Sequence, residues 1–391
     1  MKKNRWLTVA LILIALWLIM GNRSGEKKKT AEPKKTEQTE AAKDVFVLPE
    51  GAVYIALPED PDHDDFLAFD REFAAALAAR ETVICTRGRS PLSWPDFCEM
   101  DYGTFWLKSF GYSTAWAVPE GETDKTFFYT YHMEYFDLSE SDIRRMKQEI
   151  DASVSRIFAL FPENADSWTK ALIVHDELVK TVSYDHENDS VYYFNPYGAL
   201  VQHEAICQGY AAAFTFLMSR AGEYCTFSAS EDHGWNNMLT GSEEEYVDCT
   251  WDDPDLCDAY GNPYVSHDFF FLNREEVEAV DSHTIVTGDP YVSFPGEERH
   301  ANYFYHEGYT LRDYDARALA EIYRRQLQAG SNLLEARFET EEGYQEALAL
   351  TENDCAGLNR ILANAGYYNA YYYFSNDNVH TFSVGLNPPG A

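Results

Sequence analysis

Residues 207–251 place the tightest constraint on what this chain can fold into. Ala211–Met218 (AAAFTFLM) is rich in helix formers, and Gly222 supplies a C-terminal stop. Two runs with strand character follow, His233–Leu239 and Glu245–Trp251, divided by the turn signal Gly241–Ser242. The segment therefore predicts a buried helix followed by an antiparallel hairpin centred near residue 240 or 241.

That geometry decides which polar residues can meet. Cys207 falls at the first turn of the helix, where unpaired N–H groups and the positive dipole end stabilise a thiolate. Gly209, two residues on, lets the backbone pass close to a substrate or a facing strand. In the hairpin the positions opposite His233 are 248–250. An even offset keeps His233 and Asp248 on one face, opposite or diagonal, within side-chain reach. Acyl transfer by a thiol needs a nucleophile, a base for its proton and a carboxylate to orient the base. Cys207, His233 and Asp248 supply these in order. The competing readings are an inert buried cysteine and a surface histidine beside a solvated acid. His203, Cys207 and His233 lack C-x-x-C or H-E-x-x-H spacing, so neither a metal site nor a cofactor is expected.

The motifs in this stretch resemble the transglutaminase-like superfamily in its bacterial surface form. Trp168–Asp185 resembles the helix preceding the core and the Tyr-Asp that ends it. Tyr197-Gly198-Ala199-Leu200 with Cys207-Gln208-Gly209-Tyr210-Ala211 resembles the nucleophile segment. His233-Gly234-Trp235-Asn236 resembles the histidine segment, Asp248–Pro254 the aspartate segment, and His267–Leu272 the strand after it. The match covers residues 165–275. The resemblance implies an α+β fold with a papain-like core, a Cys-bearing helix packed on an antiparallel sheet, flanked by accessory α+β regions. It implies Cys207 as nucleophile, His233 as base and Asp248 as orienting acid. Gln202, Gln208 and Trp235 are candidates for contacts to the oxyanion or substrate, beside His203 and the Cys207 backbone N–H.

Charge is unevenly distributed. The chain carries a formal net charge of −34, yet residues 1–44 hold 10 Lys/Arg against 5 Asp/Glu. The acidic remainder would repel nucleic acid, and no EF-hand loop is present. At the N-terminus a basic start (residues 1–5) precedes an apolar stretch, Trp6–Met20. This reads as a signal-anchor with a cytosolic n-region, with a cleaved signal peptide and a secreted protein as the alternative. The expected location is the cell membrane, through a single-pass anchor, with the body outside. Seven cysteines form an odd set, so one thiol stays unpaired. Cys85–Cys98 and Cys249–Cys257 are possible pairs, and all seven can equally be reduced.

The rest of the chain is expected to be organised around this core. Residues 21–44 form a charged tether, 45–137 an N-terminal accessory region, 138–310 the catalytic domain and 311–391 a small α+β module. Phe66, Phe69, Phe73 and Leu77 predict a helix over 65–79, and Tyr112–Val118 and Thr126–Phe136 predict strands. Trp94, Phe97, Tyr102, Phe105 and Trp106 read as core, with a surface that grips a sugar ring or a peptide as the alternative. A helix is expected from Ser139, capped through Asp142, and a second from Trp168 to Val182 with His175 as a satisfied core histidine. Residues 283–309 read as irregular. Beyond them helices are expected at 317–328 and 355–365, and strands at 333–339, 367–374 and 380–386.

These readings give a thiol enzyme performing acyl transfer or hydrolysis at peptide or glutamine amides. Its substrate would be a peptide or protein, such as cell-wall peptide or a surface protein. The alternatives are a catalytically silent binding module of the same fold and a secreted cysteine peptidase.

Overall fold

A computed structural model describes residues 48–57, 63–88, 103–117, 126–187, 190–230, 232–240, 243–283 and 301–387. The chain divides between Arg145 and Met146 into two compact units, and the fold is mixed α+β.

The first unit contains β1 (Val53–Ala56), α1 (His63–Ala78), β2 (Val83–Gly88), α2 (Gly103–Trp106), β3 (Leu107–Ala117) and β4 (Thr126–Tyr135). The sheet order is β1-β2-β4-β3. Only β1 and β2, joined through α1, run parallel, as a helical crossover requires. The predicted spacing on α1 buries Phe69, Phe73 and Leu77, and the Phe73 ring meets Tyr131 edge-on at 5.3 Å. Phe105 and Trp106 are core at 0% and 2% exposure. Trp94, Phe97, Tyr102 and the Phe66 side chain lie outside the described residues.

From α3 (Glu140–Phe158) the chain turns to helices. Its start carries the expected cap. The Asp142 N–H donates to Ser139 Oγ at 3.2 Å, and the Ser139 N–H donates to Asp142 Oδ2 at 3.2 Å. The second unit continues with α4 (Ser167–Thr181), capped by Asp166. β5 (Ser183–Tyr184) and β6 (Glu204–Ala205) pair in parallel and bracket a π-helical turn, Gly198–Gln202. Then come α5 (Cys207–Arg220), β7 (Cys225–Ala229), β8 (Gly234–Thr240), β9 (Glu243–Val247) and β10 (Phe270–Leu272). The four strands form an antiparallel sheet in the order β10-β9-β8-β7. The helix α5 packs on this sheet through β7 and β8, and its residues Gly209–Met218 are all buried. Gly222 closes α5 at φ +82°, a left-handed conformation open to glycine.

The remainder holds α6 (Arg274–Glu278), a 3₁₀ turn at Asp281–His283, α7 (Tyr303–Glu307), β11 (Thr310–Leu311), α8 (Ala316–Ala329), β12 (Leu333–Phe338), α9 (Glu341–Leu348), α10 (Glu352–Ala365), β13 (Tyr371–Asn376) and β14 (Thr381–Leu386). Its sheet order is β11-β12-β14-β13. A cluster of Phe304, Leu319, Tyr323, Leu334, Tyr344, Leu358 and Phe382 packs between helices and sheet.

Several expectations are corrected. The strand expected over Glu245–Trp251 stops at Val247. Asp248 Oδ1 accepts the N–H groups of Thr250 and Trp251 at 2.9 and 3.1 Å, a side-chain turn that draws the backbone out of the ladder. The Gly241–Ser242 turn lies outside the described residues. Within the stretch expected to be irregular, Asn302 caps the short helix α7 through the Phe304 N–H. The helix α9 was not anticipated. β13 begins at Tyr371 rather than Tyr367, because Gly366 (φ +101°) and the Tyr367 N–H still terminate α10 on Leu362.

The membrane expectation is also corrected. Among the described residues no helix is long and apolar enough to cross a membrane. Trp6–Met20 lies outside those residues. The described residues therefore contain no single-pass anchor, and the extracellular placement built on one is not carried further. The six described cysteines, Cys85, Cys207, Cys225, Cys249, Cys257 and Cys355, are all free. Cys98 is not among the described residues.

Candidate active site

Cys207 is the first residue of α5. The preceding Ile206 is extended (φ −94°, ψ 180°) and offers no side-chain cap, so the N–H groups of the first turn have no side-chain acceptor from that position. The entry to the helix is fixed by backbone. Ile206 donates to the Tyr193 carbonyl at 2.8 Å, and Gly209 donates back to Ile206 at 2.8 Å. Gly209 is required there. A Cβ at this position would come within 2.6 Å of the Tyr193 carbonyl oxygen and 2.7 Å of the Ala205 Cβ.

The hairpin brings the other two residues to the helix start. The β8–β9 register pairs Asn236 with Val247 and Thr240 with Glu243. His233 lies just before β8 and Asp248 just after β9, at the same end of the paired strands. His233 Nε2 lies 2.6 Å from Asp248 Oδ2, and the Cys207 thiol is near enough to the same imidazole to help raise its pKa. With Nε2 taken by Asp248, Nδ1 is the nitrogen left for the thiol. Asn236 ties the hairpin to the helix. Its Nδ2 donates to the Ala211 carbonyl (3.0 Å) and Thr215 Oγ1 (2.8 Å) on α5, and to the Thr226 carbonyl (3.2 Å) on β7.

Electrostatics follow from burial and pairing. Burial alone would lower the His233 pKa. The Asp248 charge and hydrogen bond, with Cys207, outweigh it and raise the imidazole to about 10. Burial would likewise raise the Asp248 carboxyl. The positive His233 and the hydrogen bonds of both histidines on Asp248 instead hold it below the ordinary carboxylate range. Tyr184, at the end of β5, is close enough that its phenol is pushed up, first by burial and then by the charges of Cys207, Asp185 and Asp248.

Sequence reasoning missed one residue of this site. His283, fully buried in the 3₁₀ turn, places Nε2 2.8 Å from Asp248 Oδ2. Asp248 thus accepts from two imidazoles on one oxygen and from two backbone N–H groups on the other. His283 is 35 residues from Asp248 in a stretch without periodicity, and no sequence signal marks it. Trp235 is buried at 1% exposure. Its ring stacks on His233 at 5.7 Å and lies 4.6 Å from His283. Its indole Nε1 has no hydrogen-bond partner among the described residues. Trp251, 38% exposed, covers both imidazoles from the solvent side. Gln208 follows Cys207, half-buried in the first turn of α5. Gln202 is exposed on the π-helical turn, where its Oε1 accepts the Ser190 hydroxyl at 2.9 Å. His203 is exposed with left-handed backbone (φ 61°). His175 is buried, as a core histidine should be, with Nε2 3.0 Å from Asp252 and Nδ1 3.1 Å from Asp176.

No protein-family model matches the chain, and no curated protein matches it. Solved structures with some likeness include one described as a TGase, at 10% identity and a TM-score of 0.25, covering 51% of this chain and 60% of that one. A second is menin with its binding site for the Mixed Lineage Leukemia protein, at 22% identity and a TM-score of 0.26, covering 33% and 30%. A third is a Cytophaga hutchinsonii protein named as a candidate cysteine protease, at 12% identity and a TM-score of 0.24, covering 40% and 68%. The chain spans 60% of the TGase chain and 30% of the menin chain. Likeness at this level assigns no activity.

Proposed function

We propose that this protein is a transglutaminase-like thiol enzyme that cleaves a carboxamide and passes the acyl group to a primary amine or to water. The observation that supports this reading is the His233 imidazole, bound to Asp248 at 2.6 Å and near enough to Cys207 for the thiol to help raise its pKa. In the proposed reaction the Cys207 sulfur attacks the carbonyl carbon of a glutamine side chain or peptide bond. The C–N bond breaks, and the His233 imidazolium gives its proton to the departing ammonia or amine. The acceptor then loses a proton to His233, attacks the thioester and frees the thiol. Asp248 keeps the ring oriented and balances its charge throughout. The N–H groups in the first turn of α5 are the donors best placed for the oxyanion. A peptide or protein substrate is proposed because the reacting bond is an amide.

Iodoacetamide alkylation of Cys207 across a pH series, followed by peptide mass mapping, tests the pair. In wild type, alkylation should persist into mildly acidic conditions. In His233→Ala it should persist only where an ordinary thiol, with a pKa of about 8.5, reacts. Identical profiles in the two proteins would end the enzyme reading.

A further inference from the structure

A second buried cluster lies away from the thiol, with the donor set of a metal centre. His175 and Asp176 come from α4, and His267 from the segment before β10. His175 Nδ1 is 3.1 Å and His267 Nε2 is 3.2 Å from the same atom, Asp176 Oδ1. The three donor atoms all lie within 4.8 Å of one another. Donors bound to one ion at 2.0–2.1 Å sit about 3.3–3.4 Å apart in tetrahedral geometry, so each nitrogen needs to part from Asp176 Oδ1 by only a few tenths of an ångström.

The surroundings are those that fix metal-binding imidazoles. The far nitrogen of each ring meets a buried carboxylate: His175 Nε2 on Asp252 Oδ2 at 3.0 Å, and His267 Nδ1 on Glu335 Oε2 at 2.7 Å. Both carboxylates are themselves anchored. Asp252 accepts the Phe269 N–H, and Glu335 accepts the His267 N–H. Such outer carboxylates set the tautomer and aim the inner nitrogen. The His267 ring is further held by Tyr303, stacked at 3.8 Å and 9°. Asp176 Oδ2 pairs with Lys180 at 3.2 Å, which leaves Oδ1 to the cluster.

Proton counting points the same way. Four ring nitrogens face carboxylate oxygens, whereas two neutral imidazoles carry only two N–H groups. The two inner nitrogens both aim at Asp176 Oδ1. The shortfall is met either by extra protons on the rings or the carboxyls, or by one cation among the three donors. A doubly charged ion replaces two protons with no change in the cluster's net charge.

We propose that His175 Nδ1, Asp176 Oδ1 and His267 Nε2 bind one divalent transition-metal ion, with zinc as the ion their nitrogen and oxygen donors suit. Imidazole favours zinc, cobalt and nickel over magnesium and calcium, which prefer all-oxygen shells. The Asp176 side chain is 24% exposed, so a fourth position opens to solvent and a water can complete the shell. Binding would join α4 directly to the segment before β10 and, through Glu335, to β12. It is independent of the thiol chemistry proposed above.

The test uses the full chain, stripped with chelator and desalted. Equilibration with Zn²⁺, removal of free metal and elemental analysis should leave one Zn²⁺ per chain, with Mg²⁺ and Ca²⁺ not retained. Co²⁺ should give the visible absorption of a tetrahedral site. Binding near neutral pH should release protons, read from the dependence of the calorimetric enthalpy on buffer. Asp176→Asn, at a partly exposed position, should lower Zn²⁺ affinity by more than about tenfold, and Glu335→Gln by about 10–100-fold. Asp248→Asn should leave it unchanged, since His233, Asp248 and His283 form a separate donor group. No stoichiometric Zn²⁺ in wild type, or Zn²⁺ kept by Asp176→Asn but lost by Asp248→Asn, overturns the proposal.

Discussion

At the scale of single residues, reactivity should follow position rather than residue type. Several described cysteines are free, and among them Cys207 is the one beside His233, the imidazole that Asp248 holds. Cys225 is buried, and burial pushes its thiol up to about 12. In a brief native-state alkylation near pH 7, Cys207 should be labelled. Cys225 should stay unlabelled until denaturant is added, as read by mass mapping. Asp248→Asn should lower turnover by on the order of 10²–10⁴ while preserving the fold, because an amide favours the wrong imidazole tautomer. His283→Phe probes the residue hidden from sequence. It keeps a ring stacked on Phe269 (5.4 Å, 6°) but removes a hydrogen bond to a charged acceptor. The expected cost is about 1.5–3 kcal/mol in urea unfolding. A cost near zero would mean that Asp248 is held by His233 and backbone alone.

At the scale of elements, the site depends on how closely α5 can approach its neighbours. Gly209→Ala drives a methyl into the Tyr193 carbonyl and the Ala205 Cβ. It should destabilise by about 1–3 kcal/mol and slow Cys207 alkylation, since the helix start must shift. Asn236→Ala should cost a similar amount. It leaves the Thr215 hydroxyl, the Ala211 carbonyl and the Thr226 carbonyl without a donor they now share. Much at this scale was legible from sequence. The Cys207 helix ends at Gly222 as read, the Ser139–Asp142 cap is present, and α1, β3, β4, α8, β12 and β14 sit within a few residues of expectation. The errors fall where a side chain overrides the backbone pattern. The Asp248 turn ends β9 early, although Cys249-Thr250-Trp251 has strand composition. Asn302 and Thr340 cap short helices that lack an apolar stripe long enough to read.

At the scale of the molecule, the pH-dependence of stability should carry the signature of the buried His233–Asp248 pair. A base raised from 6.5 to about 10 on folding stabilises fully below 6.5, and that contribution is lost as pH rises towards 10. An acid held below its ordinary 3.8 contributes above that value and loses its contribution as pH falls through the lower folded-state pKa. The pair therefore contributes most between about pH 4 and pH 6.5. The stability difference between wild type and His233→Gln should be largest in that window and shrink steadily to pH 10, as measured by urea midpoints. A difference independent of pH would assign the effect of the substitution to packing. By itself the sequence determined the mixed α+β class, the buried helix with Cys207 at its start, and the two strands that bring His233 near Asp248. Those features follow from local periodicity, turn chemistry and register, which act over a few residues. Tertiary structure alone decided that His283 shares the Asp248 oxygen across 35 residues and that His267 meets Asp176 across 91. Such meetings depend on how loops return to the core, and no local pattern encodes that path.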